Sequence, residues 1–280
     1  MPELPEVETM RRGVQPVVGG RIAAAEACPC ECRPILIAPR IPALAKRVVG
    51  QRIEATDRLG KRVLLRLESG DVMIFEPRMT GLVLLADPPD AEHLRFRLQI
   101  QGAKAKELWY WDRRGLGSVR LVTAEELARL GEEKLGPDAL QISAETLRER
   151  LSASSRAIKV ALLDQKAVAG IGNLYASEIL HLAAISPKRS CRSLKIVEWL
   201  RIHEAIREVL EMAIRYEGST LRDGTYRNAL NQSGGYQNHH RVYDRAGEEC
   251  PRCGGGPIRR IVQAQRATFF CPACQRRATM

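Results

Sequence analysis

Two cysteine pairs near the C-terminus constrain this chain more than any other feature. "CPRC" (250–253) and "CPAC" (271–274) stand 17 residues apart. Four thiols in two CxxC knuckles at this spacing match the tetrahedral demand of one zinc ion, with Cys250, Cys253, Cys271 and Cys274 as ligands. A four-sulfur site keeps no open coordination position, so the metal is structural. Between the knuckles, "PIRRIVQAQRATFF" is expected to form a hairpin, made basic by Arg259, Arg260 and Arg266. A ribbon this short does not fold alone; zinc supplies the free energy, on the order of 10 kcal/mol. The other cysteines are Cys28, Cys30, Cys32 and Cys191. "CPCEC" (28–32) reads as three thiols near a loop, or as part of a second metal site for which no sequence neighbour offers a clear fourth ligand.

Upstream of the ribbon the patterning divides in two. Val7, Met10 and Val14 share a helical face, and Pro5 suits the first turn. Residues 50–122 read as strands. Val63, Leu65 and Leu67 alternate with Leu64, Arg66 and Glu68, and Leu94, Phe96, Leu98 and Ile100 alternate again before "QGAKAK" turns and "ELWYWD" returns. Short strands at this spacing predict an antiparallel sandwich or barrel. The character changes at "LGPDAL" (135–140), and the pattern is helical from about 143 to 217. Leu147 and Leu151 lie one turn apart, and Ile196, Trp199, Leu200, Ile206, Leu210 and Ala213 form a stripe expected to face a core. In "GIGNLYASE", Asn173 stands where a helix N-cap is expected, with Tyr175, Ile179 and Leu182 following at helical spacing. Residues 218–245 are rich in Gly, Asn and His and are expected to be a mobile loop and linker.

Charge narrows the partner. Lys and Arg number 44 against 33 Asp and Glu, a net charge of +11. That favours a polyanion, nucleic acid first and an anionic membrane surface second. No apolar run is long enough to span a bilayer, and the acidic N-terminus is unlike a secretory signal, so the expected location is the cytoplasm. The glycines of "GIGN" can admit a phosphate to a helix N-terminus, or simply make a tight turn before an ordinary cap. Lys159 suits a phosphate contact and equally a solvated surface.

The opening "MPELPEVE" carries the sharpest chemical possibility. If Met1 is removed, Pro2 becomes a terminal secondary amine, a group that titrates well below lysine. Attack on a sugar C1′ gives a permanently charged iminium, which acidifies the C2′ proton and permits loss of the 3′ phosphate. Glu3 can move protons beside it, and Lys61 in "LGKRVLL" can supply a second acid or a phosphate contact. The plainer alternative is that Pro2 only shapes the N-terminus.

"MPELPEVET", "GIGNLYASE", "QRATFFC" and the CxxC pairs together resemble the formamidopyrimidine-DNA glycosylase / endonuclease VIII family, in the family's order and over nearly the whole chain. "PELPE" leans toward the formamidopyrimidine branch. The resemblance implies an α+β protein of two lobes with DNA in the cleft between them. Residues 1–134 would be an antiparallel β-sandwich led by a catalytic helix. Residues 135–244 would hold a helix–two-turn–helix element with a lesion-capping loop at about 218–238, and 245–280 a zinc finger. It implies that Pro2 is the Schiff-base nucleophile, Glu3 the acid assisting base loss, Glu6 a second carboxylate near the site, Lys61 a proton donor for β-elimination, and Arg266 a phosphate-gripping finger arginine that assists δ-elimination. Asn173 would hold backbone phosphate, with Lys159 beside it. Met79, Arg114 and Leu116 would fill the gap left by the extruded lesion, Arg114 reading the orphaned base. The third of these is commonly phenylalanine, and leucine can wedge but not stack. Glu76 replaces a family histidine that contacts phosphate, and as a carboxylate it would repel DNA unless paired, with Arg78, itself expected to bind DNA, as the candidate partner. The implied partner is duplex DNA with oxidised bases or abasic sites, bound by a monomer with one structural zinc and no membrane association. The implied activity is removal of oxidised purines and strand nicking by β,δ-elimination. An endonuclease VIII-like enzyme for oxidised pyrimidines and a non-catalytic zinc-ribbon DNA-binding protein stay open as alternatives.

Overall fold

The computed structural model describes residues 1–276, so the end of the expected 245–280 finger lies outside the described residues. The chain divides into two compact units, Met1–Glu133 with Ile214–Gln237, and Lys134–Ala213 with Asn238–Met280.

The first unit begins with α1 (Leu4–Gly13) and continues through β1 (Arg21–Ala27), β2 (Leu36–Ala38), α2 (Ile41–Val48), β3 (Ile53–Leu59), β4 (Arg62–Leu67), β5 (Val72–Glu76), β6 (Gly81–Leu84), β7 (Leu94–Gln101), β8 (Glu107–Asp112), β9 (Ser118–Val122) and α3 (Ala124–Lys134). The strands make two sheets, ordered β1-β7-β8-β6 and β2-β9-β5-β4-β3. Pairing is antiparallel except between β2 and β9, where Leu36 lies opposite Ser118 in a parallel register. One core joins both sheets to the helix: Val7, Met10 and Val14 of α1 are buried with Val63, Leu65 and Leu67 of β4 and Phe96, Leu98 and Ile100 of β7. β4 departs from strict alternation because Leu64 is buried too, on the other face, with Val72, Ile74 and Leu127 of α3.

The second unit carries α4 (Ala144–Leu151), α5 (Ile158–Leu162), α6 (Asn173–Leu182), most of α7 (Ile196–Arg215) and the hairpin β10 (Arg259–Gln263) and β11 (Arg266–Phe270). Ser143 caps α4 by accepting the Thr146 N–H at 3.1 Å. The expected stripe on α7 needs correction at its start. Ile196 and Leu200 are exposed, and the buried face runs through Trp199, Ile202, Ala205, Ile206, Val209, Leu210 and Ala213. Apolar side chains on the first turn misled the register.

The segment expected as a mobile loop of the helical domain is built into the first unit instead. Tyr226 and Ala229 join its core. Leu85 N–H donates to Ala229 O at 2.8 Å, Asn231 Nδ2 to Asp87 O at 2.9 Å, and Arg113 Nη2 to Thr225 Oγ1 at 2.9 Å. Short polar residues gave no sequence signal for these contacts, which are made largely through backbone atoms and asparagine. Among the described residues no helix is long and apolar enough to cross a membrane.

Candidate active site and zinc centre

Helix α1 positions the first candidate residues. Glu3 is its N-cap and Glu6 its third residue, joined in a capping box. Glu3 N–H donates to Glu6 Oε2 at 2.9 Å. The other Glu6 oxygen accepts the Ser219 N–H at 2.9 Å. One buried carboxylate thus ties the chain beside Pro2 to the start of the 218–237 segment. Gly218 makes this approach possible: its φ is +78°, and a Cβ there would lie 2.9 Å from Glu6 Cγ. That segment then closes on itself, with Tyr236 N–H donating to Gly218 O at 2.9 Å and Gly234 N–H to Thr220 Oγ1 at 2.9 Å. Pro2, Glu3 and Glu6 are all buried.

Lys61 occupies the turn between β3 and β4. That turn is tied to Glu8 on α1. Glu8 accepts Arg58 Nε at 3.1 Å, and Arg58 Nη1 donates onward to Gly60 O at 3.0 Å, next to Lys61. Arg11 and Arg12 also reach Glu8, at 2.6 and 2.8 Å. Burial works to raise the Glu8 pKa, but these arginines outweigh it and hold the carboxyl below the ordinary range.

Met79, Arg114 and Leu116 lie on two loops that the fold joins. Asp112, fully buried, is the clamp. It accepts the Thr80 hydroxyl, the Arg114 N–H at 3.2 Å and the Gly117 N–H at 2.8 Å. Arg114 N–H also reaches Thr80 Oγ1 at 3.0 Å. Arg114 is exposed, Leu116 half-buried, and Met79 37% exposed. Gly115 has a φ of +60°, and the Arg33 backbone fills the space a Cβ would need, so the position requires glycine. Glu76 is paired, with Arg78 Nε at 3.0 Å and Arg62 Nη2 at 3.2 Å.

In the second unit, Gly172 rather than Asn173 is the N-cap of α6, in an extended conformation. Asn173 is the first helical residue and its side chain is spent elsewhere: Nδ2 donates to Ala267 O at 3.0 Å, and Oδ1 accepts Lys159 Nζ. Lys159 is fully buried, so of the two sequence readings the solvated-surface one does not hold. The pair therefore anchors the helix start to β11, one residue from Arg266. Arg266 itself is exposed at the start of β11. The hairpin tip, Ala264 and Gln265, has φ of +45° and +60°, a two-residue turn of the kind that matches strand twist.

The four finger cysteines fit zinc. Their sulfurs lie within 4.8 Å of one another, with Cys250 to Cys274 at 3.8 Å and Cys253 to Cys271 at 3.7 Å. A tetrahedron with Zn–S of about 2.3 Å has edges of about 3.8 Å. Knuckle amides support the sulfurs, Gly255 N–H on Cys253 at 3.3 Å and Cys274 N–H on Cys271 at 3.4 Å. One structural zinc ion is thus held by Cys250, Cys253, Cys271 and Cys274.

Sequence reasoning missed two supports. His181 Nε2 lies 3.4 Å from Cys250 Sγ. Burial, then the positive charges of Arg252, Arg241 and Arg245, push the His181 pKa down to about 4, so the ring is neutral at pH 7. Glu178 is fully buried and accepts three successive N–H groups, from Arg241, Val242 and Tyr243, at 2.8, 2.9 and 2.8 Å. A carboxylate on the inner face of an apolar helix was the available signal.

Family models cover most of the chain. Residues 1–119 match the formamidopyrimidine-DNA glycosylase N-terminal domain, 135–225 the formamidopyrimidine-DNA glycosylase H2TH domain, and 247–277 the zinc finger found in FPG and IleRS. A formamidopyrimidine-DNA glycosylase of Chloroflexus aggregans is 42% identical over 279 residues, covering 98% of each chain. This chain belongs to the formamidopyrimidine-DNA glycosylase family. Two solved structures of that family show the same fold. A Lactococcus lactis FPG point mutant in complex with a Fapy-dG containing DNA aligns with a TM-score of 0.87 at 34% identity, covering 99% of this chain and 100% of that one. The Lactococcus lactis Fpg complex with an abasic site containing DNA gives 0.86 at 33%, covering 98% and 100%.

Proposed function

We propose that this protein is a bifunctional DNA glycosylase and AP lyase of base-excision repair. It removes oxidised purines, formamidopyrimidines and 8-oxoguanine, from duplex DNA and nicks the strand at the resulting site. The observation that carries the reading is the start of α1. Pro2 and Glu3 are buried at a helix N-terminus that Glu6 ties to the 218–237 segment.

With Met1 removed, the Pro2 nitrogen attacks C1′ of the extruded nucleotide. The base departs as the N-glycosidic bond breaks, and an iminium joins Pro2 to the opened sugar. Glu3 delivers and takes the protons of ring opening and base loss. The iminium acidifies C2′, its proton is lost, and the 3′ phosphate leaves, with Lys61 as the acid. A second elimination releases the 5′ phosphate, gripped by Arg266. Asn173, held by Lys159, steadies the backbone, and Met79, Arg114 and Leu116 fill the vacated stack. Glu6 positions Glu3. The zinc ion holds the hairpin that presents Arg266. Chromosomal DNA as substrate puts the enzyme in the cytoplasm with the nucleoid, acting as a monomer.

Borohydride reduction tests the covalent step. Duplexes carrying a formamidopyrimidine, 8-oxoguanine or thymine glycol are incubated with the protein and reducing agent. A trapped adduct is expected on the two purine lesions, and Pro2→Gly should lose most of it. No adduct with any lesion, or fastest release of thymine glycol, contradicts the reading.

A further inference from the structure

Cys28, Cys30 and Cys32 take no part in the chemistry above. Their neighbours in sequence offer no ligand set, but the fold supplies one. Cys28 N–H donates to Arg95 O at 3.0 Å, which prolongs the β1–β7 ladder and carries the cysteine run alongside the start of β7. There Cys32 Sγ, a carboxylate oxygen of Glu92 and a ring nitrogen of His93 lie within 4.8 Å of one another. The Cys32 thiol is 3.7 Å from Glu92 Oε1. An independent feature concerns the histidine. Its Nδ1 is 2.8 Å from Asp90 Oδ1, and the same oxygen accepts the His93 N–H at 2.9 Å and Trp111 Nε1–H at 3.1 Å. A carboxylate on Nδ1 fixes the tautomer that leaves the Nε2 lone pair for a metal, the arrangement typical of metal-bound histidines. Cys30 is close as well: its Sγ accepts the Cys32 N–H at 3.2 Å and faces the Arg95 guanidinium.

We propose that Cys32, His93 and Glu92 form a second zinc site, separate from the finger, with water completing the tetrahedron. Thiolate, imidazole and carboxylate together are a donor set zinc accepts. Binding replaces the Cys32 thiol proton, which leaves to solvent. The site is wired to the gap-filling loop. His93 O accepts the Asp112 N–H at 2.9 Å, and Arg95 Nε donates to Asp112 O at 2.8 Å. Asp112 in turn holds the amides of Arg114 and Gly117. A metal on His93 therefore stiffens the support of Arg114 without touching DNA.

The test counts metal. The full-length protein, kept under a thiol-free reductant, is titrated with zinc and read by native mass spectrometry. Two zinc ions per chain are expected for the wild type, and one for Cys32→Ser and for His93→Ala. Asp90→Asn, which leaves all ligands in place, should retain the second ion with about 10–100-fold weaker affinity. A wild type that stops at one ion overturns the proposal. So does a second ion that binds the wild type, Cys32→Ser and His93→Ala alike.

Discussion

Glu6 accepts one N–H with each oxygen, from Glu3 in its own helical turn and from Ser219, 213 positions further along the chain. Both bonds are buried, and a change that spoils either should cost about 1–3 kcal/mol. Gly218→Ala attacks the same junction from the other side. It combines a left-handed φ with a Cβ 2.9 Å from Glu6, at a cost of about 1–3 kcal/mol. We expect this variant to keep its zinc and to lose adduct formation and stability together, as read by borohydride trapping and urea unfolding. Glu178 is the counterpart in the second unit. Glu178→Ala strips three N–H groups, one buried and two part-buried, of this acceptor. The expected loss is about 3–5 kcal/mol. Glu178→Gln, which keeps one acceptor oxygen, should lose less in the same unfolding measurement. The motif "GIGNLYASE" was legible as a family signature, but the work of its glutamate was not. Its partners lie more than 60 residues downstream and are backbone amides, which carry no residue-type signal.

The hairpin tip shows an element that works with unfavourable local chemistry. Ala264 and Gln265 both sit at positive φ, where asparagine and glycine are the usual residues. The double change Ala264→Asn with Gln265→Gly should stabilise the hairpin by about 1 kcal/mol and slow zinc loss to a chelator, measured by chelator absorbance. The α1–β3 contact is set by charge instead. Because the folded-state pKa of Glu8 is lowered, its contribution is complete above the ordinary carboxylate range and is lost as pH falls through the folded value. Glu8→Gln should therefore be less stable than the wild type at neutral pH, with the gap closing below about pH 4 in thermal unfolding. Periodicity found α1, α4, α6 and the β7–β8 hairpin because each repeats apolar residues at the spacing of its element. It misplaced the first turn of α7, where Ile196 and Leu200 are apolar yet exposed, and it had no means of showing the parallel pairing of β2 with β9.

At the scale of the molecule, the zinc site and the net charge of +11 set the behaviour toward DNA. Removing the finger zinc should unfold the β10–β11 hairpin and weaken DNA binding, followed by circular dichroism and fluorescence anisotropy in parallel. Binding by the intact protein should fall steeply with salt, as for any protein that displaces counterions from phosphates. The cysteine pairs and the basic balance were both plain in the sequence. The division of the chain was not, because the 214–237 segment returns to the first unit through contacts that composition does not record. That return has a consequence during synthesis. A ribosome that has emitted the whole sandwich sequence has still not made the partner of Glu6. The first unit must wait, incomplete, while about eighty residues of the other unit are translated, and only then receives its last piece. Repair competence in a growing cell thus begins late in each polypeptide's synthesis, and a fragment ending at residue 133 would be a sheet scaffold deprived of its closing segment.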